Sequence, residues 1–231
     1  MTKPAIVLVH GFWGGAAHWS KVIVQLSKMG YRDIHAVENP LTSLADDAAR
    51  TKKMLAQQQG QVILVGHSYG GAVITEAGDQ PNVAALVYIA AFAPDAGESI
   101  TAGSEAFSAP PGLANAAPDS DGYLWINPAK FGESFCQDLS HDEQLVMAVT
   151  QRAPIVTTAG DTVTAPAWKK KPSWYQISSE DRMINPENEK RMAERMGAKK
   201  IVTLHASHAS LASKPHEVAE LIDEAAKATA A

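Results

Sequence analysis

A chain of 231 residues with 45% hydrophobic and 19% charged residues has an ordinary globular composition, enough for one domain or one domain with a sizeable insertion. Twenty Lys and Arg against 25 Asp and Glu give a formal net charge of -5, and no basic run is long enough to attract nucleic acid or anionic lipid. The single cysteine, Cys136, excludes an intrachain disulfide and, with nothing near it that reads as a base, is expected to be a half-buried structural thiol.

The N-terminal "MTKP" runs straight into "AIVLVHG" (5 to 11), a strand rich in β-branched residues. That apolar run is too short for a signal h-region or a membrane span, so a cytoplasmic location is expected. "AHWSKVIVQLSKMG" (17 to 30) has helical spacing and closes on Gly30, in the place of a C′ glycine. "IHAVEN" (34 to 39) is a second strand, stopped by Pro40, and Ser43 with Asp46 three residues on opens the helix that follows.

"QVILVGHS" (61 to 68) is a third strand, "YGGAVITEAGD" a helix, and "VAALVYIAAFAP" (83 to 94) a fourth strand. Later come the strand "SWYQISSED" (173 to 181), a helix capped by Asn185-Pro186, the strand "KIVTLHASH" (200 to 208) and a last helix from Pro215. Strands that are apolar nearly throughout, each followed by a helical pattern, predict an α/β fold with a mainly parallel sheet of about six strands. Residues 95 to 172 interrupt this alternation. Their first half is rich in Pro, Gly, Ala and Ser, their second half contains "AKFGESFCQDL" and "HDEQLVMAVTQRA", and the whole is too long for a bare loop. We read residues 1–94 and 173–231 as the core and 95–172 as an insertion. "KKK" at 169 to 171 is expected to be a solvated loop.

In a parallel sheet, chemistry gathers at the carboxyl ends of the strands. Ser68 lies at such an end within Gly66-His67-Ser68-Tyr69-Gly70, a G-x-S-x-G pattern between an apolar strand and a helix. The glycines admit a tight, strained corner, and the amino end of the next helix favours a developing negative charge. A serine hydroxyl needs a base, and the base needs an orienting acid. Of eight histidines, His208 at the end of the last strand is the candidate base, with His205 the alternative in the same strand. His67 points away on the corner, His10 belongs to another loop, and His18, His35, His141 and His216 read as surface or helix residues. Asp181, after the serine and before the histidine in chain order, is the candidate acid; Asp95 is its rival and Glu180 would face the other way.

An oxyanion hole needs two backbone N–H groups aimed at one point. Tyr69, next after the serine, should give one, and Phe12 in the glycine-rich "HGFWGG" turn the other. Phe12, Trp13, Tyr69, Tyr123 and Trp125 are candidates for an apolar substrate pocket, although Tyr123 and Trp125 fit ordinary packing of the insertion equally well. No clustered His/Cys/Asp pattern stands at ligand spacing, so no metal or organic cofactor is expected.

On "HGFWGGAAHW", "GHSYGG", "SSEDRMINPE" and "SHASLASKP", in that order, the chain resembles the α/β-hydrolase superfamily over nearly its full length. It is most similar to the compact cofactor-free branch containing bacterial esterases, pyrethroid hydrolases, plant methylesterases of the salicylate-binding type and hydroxynitrile lyases. The resemblance implies a mostly helical cap over the active site from residues 95 to 172, and it places the first strand at the family's third. The lyases carry a lysine after the catalytic histidine and a threonine in the first turn, where this chain has Ala209 and Gly11. Hydrolysis of small or medium apolar carboxylic esters through an acyl-enzyme is therefore expected. Perhydrolysis of the cofactor-free haloperoxidase kind, or C–C or lactone cleavage, would use the same triad. A non-catalytic ligand-binding receptor would have no need of all three members. The expected partner is a small-molecule ester, with no nucleic acid or membrane, and the expected state a monomer or homodimer.

Overall fold

The structure, a computed structural model, describes residues 3–230. In chain order its first half comprises β1 (Ala5–Val9), α1 (Ser20–Lys28), β2 (Ile34–Val37), α2 (Leu44–Leu55), β3 (Val62–Ser68), α3 (Gly70–Ala77) and β4 (Val83–Ala91). Then follow a short ribbon of β5 (Ala116–Pro118) and β6 (Leu124–Ile126), and the helices α4 (Phe131–Phe135) and α5 (His141–Val149). β7 (Ser173–Ser178), α6 (Pro186–Arg195), β8 (Lys200–Leu204), α7 (Ser210–Ser213) and α8 (Pro215–Ala228) complete the chain.

Six strands form one sheet in the order β2-β1-β3-β4-β7-β8, and every neighbouring pair is parallel. All five residues of β1 and all seven of β3 are buried, because helices cover both faces. Alternate residues feed different cores: Val7, Val9 and Leu64 join one, while Ile6, Leu8, Ile63 and Val65 join the other, against α1 and α8. The helix signals act as read. Ser43 accepts the N–H of Asp46 at 3.1 Å, Asn185 accepts that of Glu187 at 2.9 Å, and Gly30 takes φ +91° just beyond α1.

From β1 the chain moves outward to β2 and then returns to the other side of β1 as β3. The loops after β1 and β3 therefore diverge, which opens a crevice at the carboxyl edge of the sheet.

Several details differ from the sequence reading. Pairing ends at Ser178 and Leu204, so Asp181 and His208 lie on the loops beyond β7 and β8 rather than at strand ends. Those loops still run side by side, with Ser179 N–H donating to Leu204 O at 2.9 Å and Glu180 N–H to Ala206 O at 3.1 Å. Between β4 and β7 the chain holds short 3-10 turns, α4, α5 and also the β5–β6 ribbon, which no sequence pattern indicated. Cys136 caps α4 and is fully buried, not half-buried, and burial pushes its thiol up to about 12. No helix among the described residues is long and apolar enough to cross a membrane.

Candidate active site

Ser68 takes φ +57°, the left-handed region that a side-chain-bearing residue rarely adopts. The neighbouring glycines make this corner possible. A Cβ on Gly66 would stand 2.5 Å from Gly70 O, and one on Gly70 would stand 2.4 Å from Val9 O. Both obstacles are backbone atoms, so neither can swing aside. The strand, the turn and β1 thus meet at contact distance, and Ser68 is held at the crevice with 4% of its surface exposed.

Asp181 and His208 form a buried pair on the adjoining loops. Asp181 Oδ1 accepts the N–H groups of Met183 (2.6 Å) and Ile184 (2.9 Å), while Oδ2 lies 2.5 Å from His208 Nδ1. The carboxylate thus fixes the tautomer with the proton on Nδ1. His208 Nε2 is buried and has no hydrogen-bond partner among the described residues. Phe135 meets the imidazole edge-on at 4.8 Å between centroids, and His67, the residue before Ser68, packs on it at 4.7 Å. His67 Nε2 also lies 2.8 Å from the His208 carbonyl, to which it donates.

The other histidines are differently employed. Burial pulls His10 and His18 each down to about 4 and holds His67 well below the usual imidazole range, so all three are neutral at pH 7. His18, read as a surface or helix residue, sits in a 3-10 turn with its ring edge toward Phe135. His205 is turned outward, its side chain 86% exposed and 3.4 Å from Glu180. Asp95 pairs with Lys169, which holds its carboxyl below the usual range. Among the described residues neither alternative pairs with His208 or Asp181.

The turn after β1 lies across from the corner. The rings of Phe12 and Tyr69 stack at 4.1 Å between centroids and 18° between planes. Among the described residues, neither backbone N–H of these two donates a hydrogen bond. Trp13, at φ +57°, donates its backbone N–H to Arg152 O at 3.0 Å and its indole N–H to Leu124 O at 2.7 Å. Ser68, Phe12 and Trp13 share a cavity of about 350 Å³ with apolar side chains such as Phe92, Leu113 and Met183. Its single ionisable lining residue is Glu105.

Residues 6–221 match the alpha/beta hydrolase family. The chain belongs to that family. This hydrolase is 30% identical over 250 residues to the alpha/beta hydrolase nvfD of Aspergillus novofumigatus, covering 98% of each chain. It is 35% identical over 109 residues to a carbendazim hydrolyzing esterase of a Nocardioides species, covering 42% of this chain and 45% of that one. In fold it is similar to a pyrethroid hydrolase from Sphingobium faniae, with a TM-score of 0.82 at 22% identity over 97% of this chain and 98% of the other.

Three sequence candidates for the hydrolase's pocket, Tyr69, Tyr123 and Trp125, stand outside its lining. Tyr123 bridges to Ile155, and Trp125 is 41% exposed with its indole N–H donated to Asp119 at 2.8 Å. The cavity is lined instead by Leu124, because successive side chains in an extended segment point to opposite sides. Phe92 and Met183 were legible in principle, since each follows a strand of the sheet. Leu113, in a Pro- and Ala-rich stretch, carried no signal. Among the described residues no three His, Cys, Asp or Glu side chains converge as a metal site.

Proposed function

We propose that this hydrolase cleaves neutral carboxylic esters with small or medium apolar groups through an acyl-enzyme on Ser68. His208 Nε2 takes the Ser68 proton as Oγ attacks the ester carbonyl. Asp181 orients the imidazole and stabilises its cation. The N–H groups of Phe12 and Tyr69 receive the oxyanion, aided by the amino end of α3. His208 then gives its proton to the leaving alcohol, and water repeats the two steps in reverse. Residues 95–172 act as the cap, since Leu113 and Leu124 from that segment wall the cavity.

The observation that carries this reading is His208 itself: a buried imidazole fixed by Asp181 on one side, with the other nitrogen left without a partner beside the Ser68 corner. The apolar wall favours acyl and alcohol chains, and Ala209 beside His208 offers no ammonium for a leaving anion.

Hydrolysis of p-nitrophenyl acetate, butyrate and octanoate by wild type and Ser68→Ala tests it. Turnover is expected to fall on the order of 10⁴-fold or more in the variant. Wild-type turnover that survives the substitution would overturn the assignment of Ser68. Preference along the ester series reports the length of the cavity.

A further inference from the structure

Tyr69 carries one of the two N–H groups assigned to the oxyanion, and its side chain runs away from the site. Its ring lies on that of Phe12, bearer of the second N–H, and its hydroxyl donates to Asp47 Oδ2 at 2.8 Å. Asp47 belongs to α2 and is fully buried. Its other oxygen accepts the backbone N–H of Leu41 at 2.9 Å, a residue held at φ +63°. One carboxylate therefore joins a strained turn to the pair of donor-bearing residues.

The chemistry of this acid is unusual for a merely structural group. Burial pushes its carboxyl up to about 6, the hydrogen bonds from Leu41 and Tyr69 draw it back, and Asp46 and Asp161 push it further up. Among the described residues no cation is one of the groups that act on it. A buried carboxylate without a counter-cation is a costly anchor for one phenol, and what that phenol fixes is the Phe12–Tyr69 stack.

We propose that Asp47 is a positioning residue for the oxyanion site, locking the Tyr69–Phe12 stack so that both backbone N–H groups stay aimed at one point. This rests on the roles given above to Ser68, Phe12 and Tyr69. Oxyanion donors act on the tetrahedral state and hardly on the bound ester. Loosening them should therefore lower kcat and leave KM in place.

The test measures kcat and KM for p-nitrophenyl butyrate, inhibition by butylboronic acid, and thermal melting. It compares wild type, Ser68→Ala, Asp47→Asn, Tyr69→Phe and the Asp47→Asn/Tyr69→Phe double variant. The boronic acid forms a tetrahedral adduct on a serine and so reports the oxyanion site directly. Each single substitution at 47 or 69 should lower kcat by about tenfold, weaken the inhibitor by a similar factor and leave KM unchanged. The double variant should be no worse than the poorer single one, because both remove the same link. Activity surviving in Ser68→Ala would overturn the catalytic reading as a whole. An inactive Ser68→Ala beside wild-type kcat and inhibition in both Asp47→Asn and Tyr69→Phe would overturn the role of Asp47 alone. So would losses confined to KM or to melting temperature. Should Asp47→Asn fail to fold, Tyr69→Phe, which keeps the ring stack, decides the matter by the same criteria.

Discussion

Around Ser68 the chain is packed against its own backbone, and a single methyl group would collide with Gly70 O or Val9 O. The segment between β4 and β7 is built differently. Of the eight large apolar side chains left exposed among the described residues, six lie there: Leu113, Trp125, Leu145, Val146, Val149 and Val156. Its two helices have five and nine residues, and 3-10 turns fill much of the rest. The corner is defined by what cannot fit, whereas the segment between β4 and β7 leaves much apolar surface outside the core and adds Leu113 and Leu124 to the cavity wall. Tight backbone packing and exposed apolar surface thus fall in separate stretches of chain.

The largest effect should come from placing the same substitution in both regions. Gly70→Ala puts a Cβ 2.4 Å from a backbone oxygen of β1 and is expected to cost about 3 kcal/mol or more, with loss of esterase activity. Gly122, between β5 and β6, sits at φ +83° with open space around it. Gly122→Ala bears only the penalty of that conformation, about 1–2 kcal/mol. Urea melts of the two variants compare them directly. Equal losses would break the contrast drawn here.

Acids in the two regions titrate in opposite directions. Asp47 has its folded value raised to about 6 by burial, above an unfolded value of about 3.9. Its contribution to stability is full below pH 4 and is lost as pH rises through 6. Between pH 4 and 7, wild type should lose on the order of 3 kcal/mol relative to Asp47→Asn. Glu143, in the insertion, is lowered to about 2, chiefly by Lys21 and then by Ser140. Its contribution is present above the unfolded value and is lost as pH falls toward 2. Being exposed and screened, Glu143→Gln should move the same comparison by less than about 1 kcal/mol. Denaturant unfolding at pH 4 and pH 7 separates the two, and a larger slope for Glu143 would reverse the ranking.

The sheet was legible because each strand is an apolar run closed by glycine, proline or a capping residue. Ser68 was legible because glycine at 66 and 70 has a steric cause that any reader of the pattern can name. Asp181 was chosen from chain order and His208 as the histidine ending the last strand; the structure brings the two side chains together, on loops rather than at strand ends. Both loops continue beyond the last paired residue, and an apolar run does not reveal where pairing stops. The insertion yielded least. Tyr123 and Trp125 were chosen for chemistry alone, and without a periodic pattern nothing indicated that Leu124 would face the cavity. The contact of His18 with Phe135 of α4 joins segments more than a hundred residues apart, a tertiary contact that local sequence does not announce.

Trp13 joins the two regions, because it sits in the turn beside Phe12 and gives its indole N–H to Leu124 O. Trp13→Phe keeps an aromatic ring on the cavity wall but removes that bond. The expected cost to folding is about 1 kcal/mol, the net value of one such hydrogen bond. Leu124 also lines the cavity, so releasing its carbonyl should loosen that wall, with most effect on an ester long enough to reach it. Octanoate should then suffer more than acetate, and the ratio of their kcat/KM values should fall. If both esters decline in parallel, the indole bond supports the oxyanion turn and not the wall, and the insertion has less say in substrate choice than its place in the cavity implies.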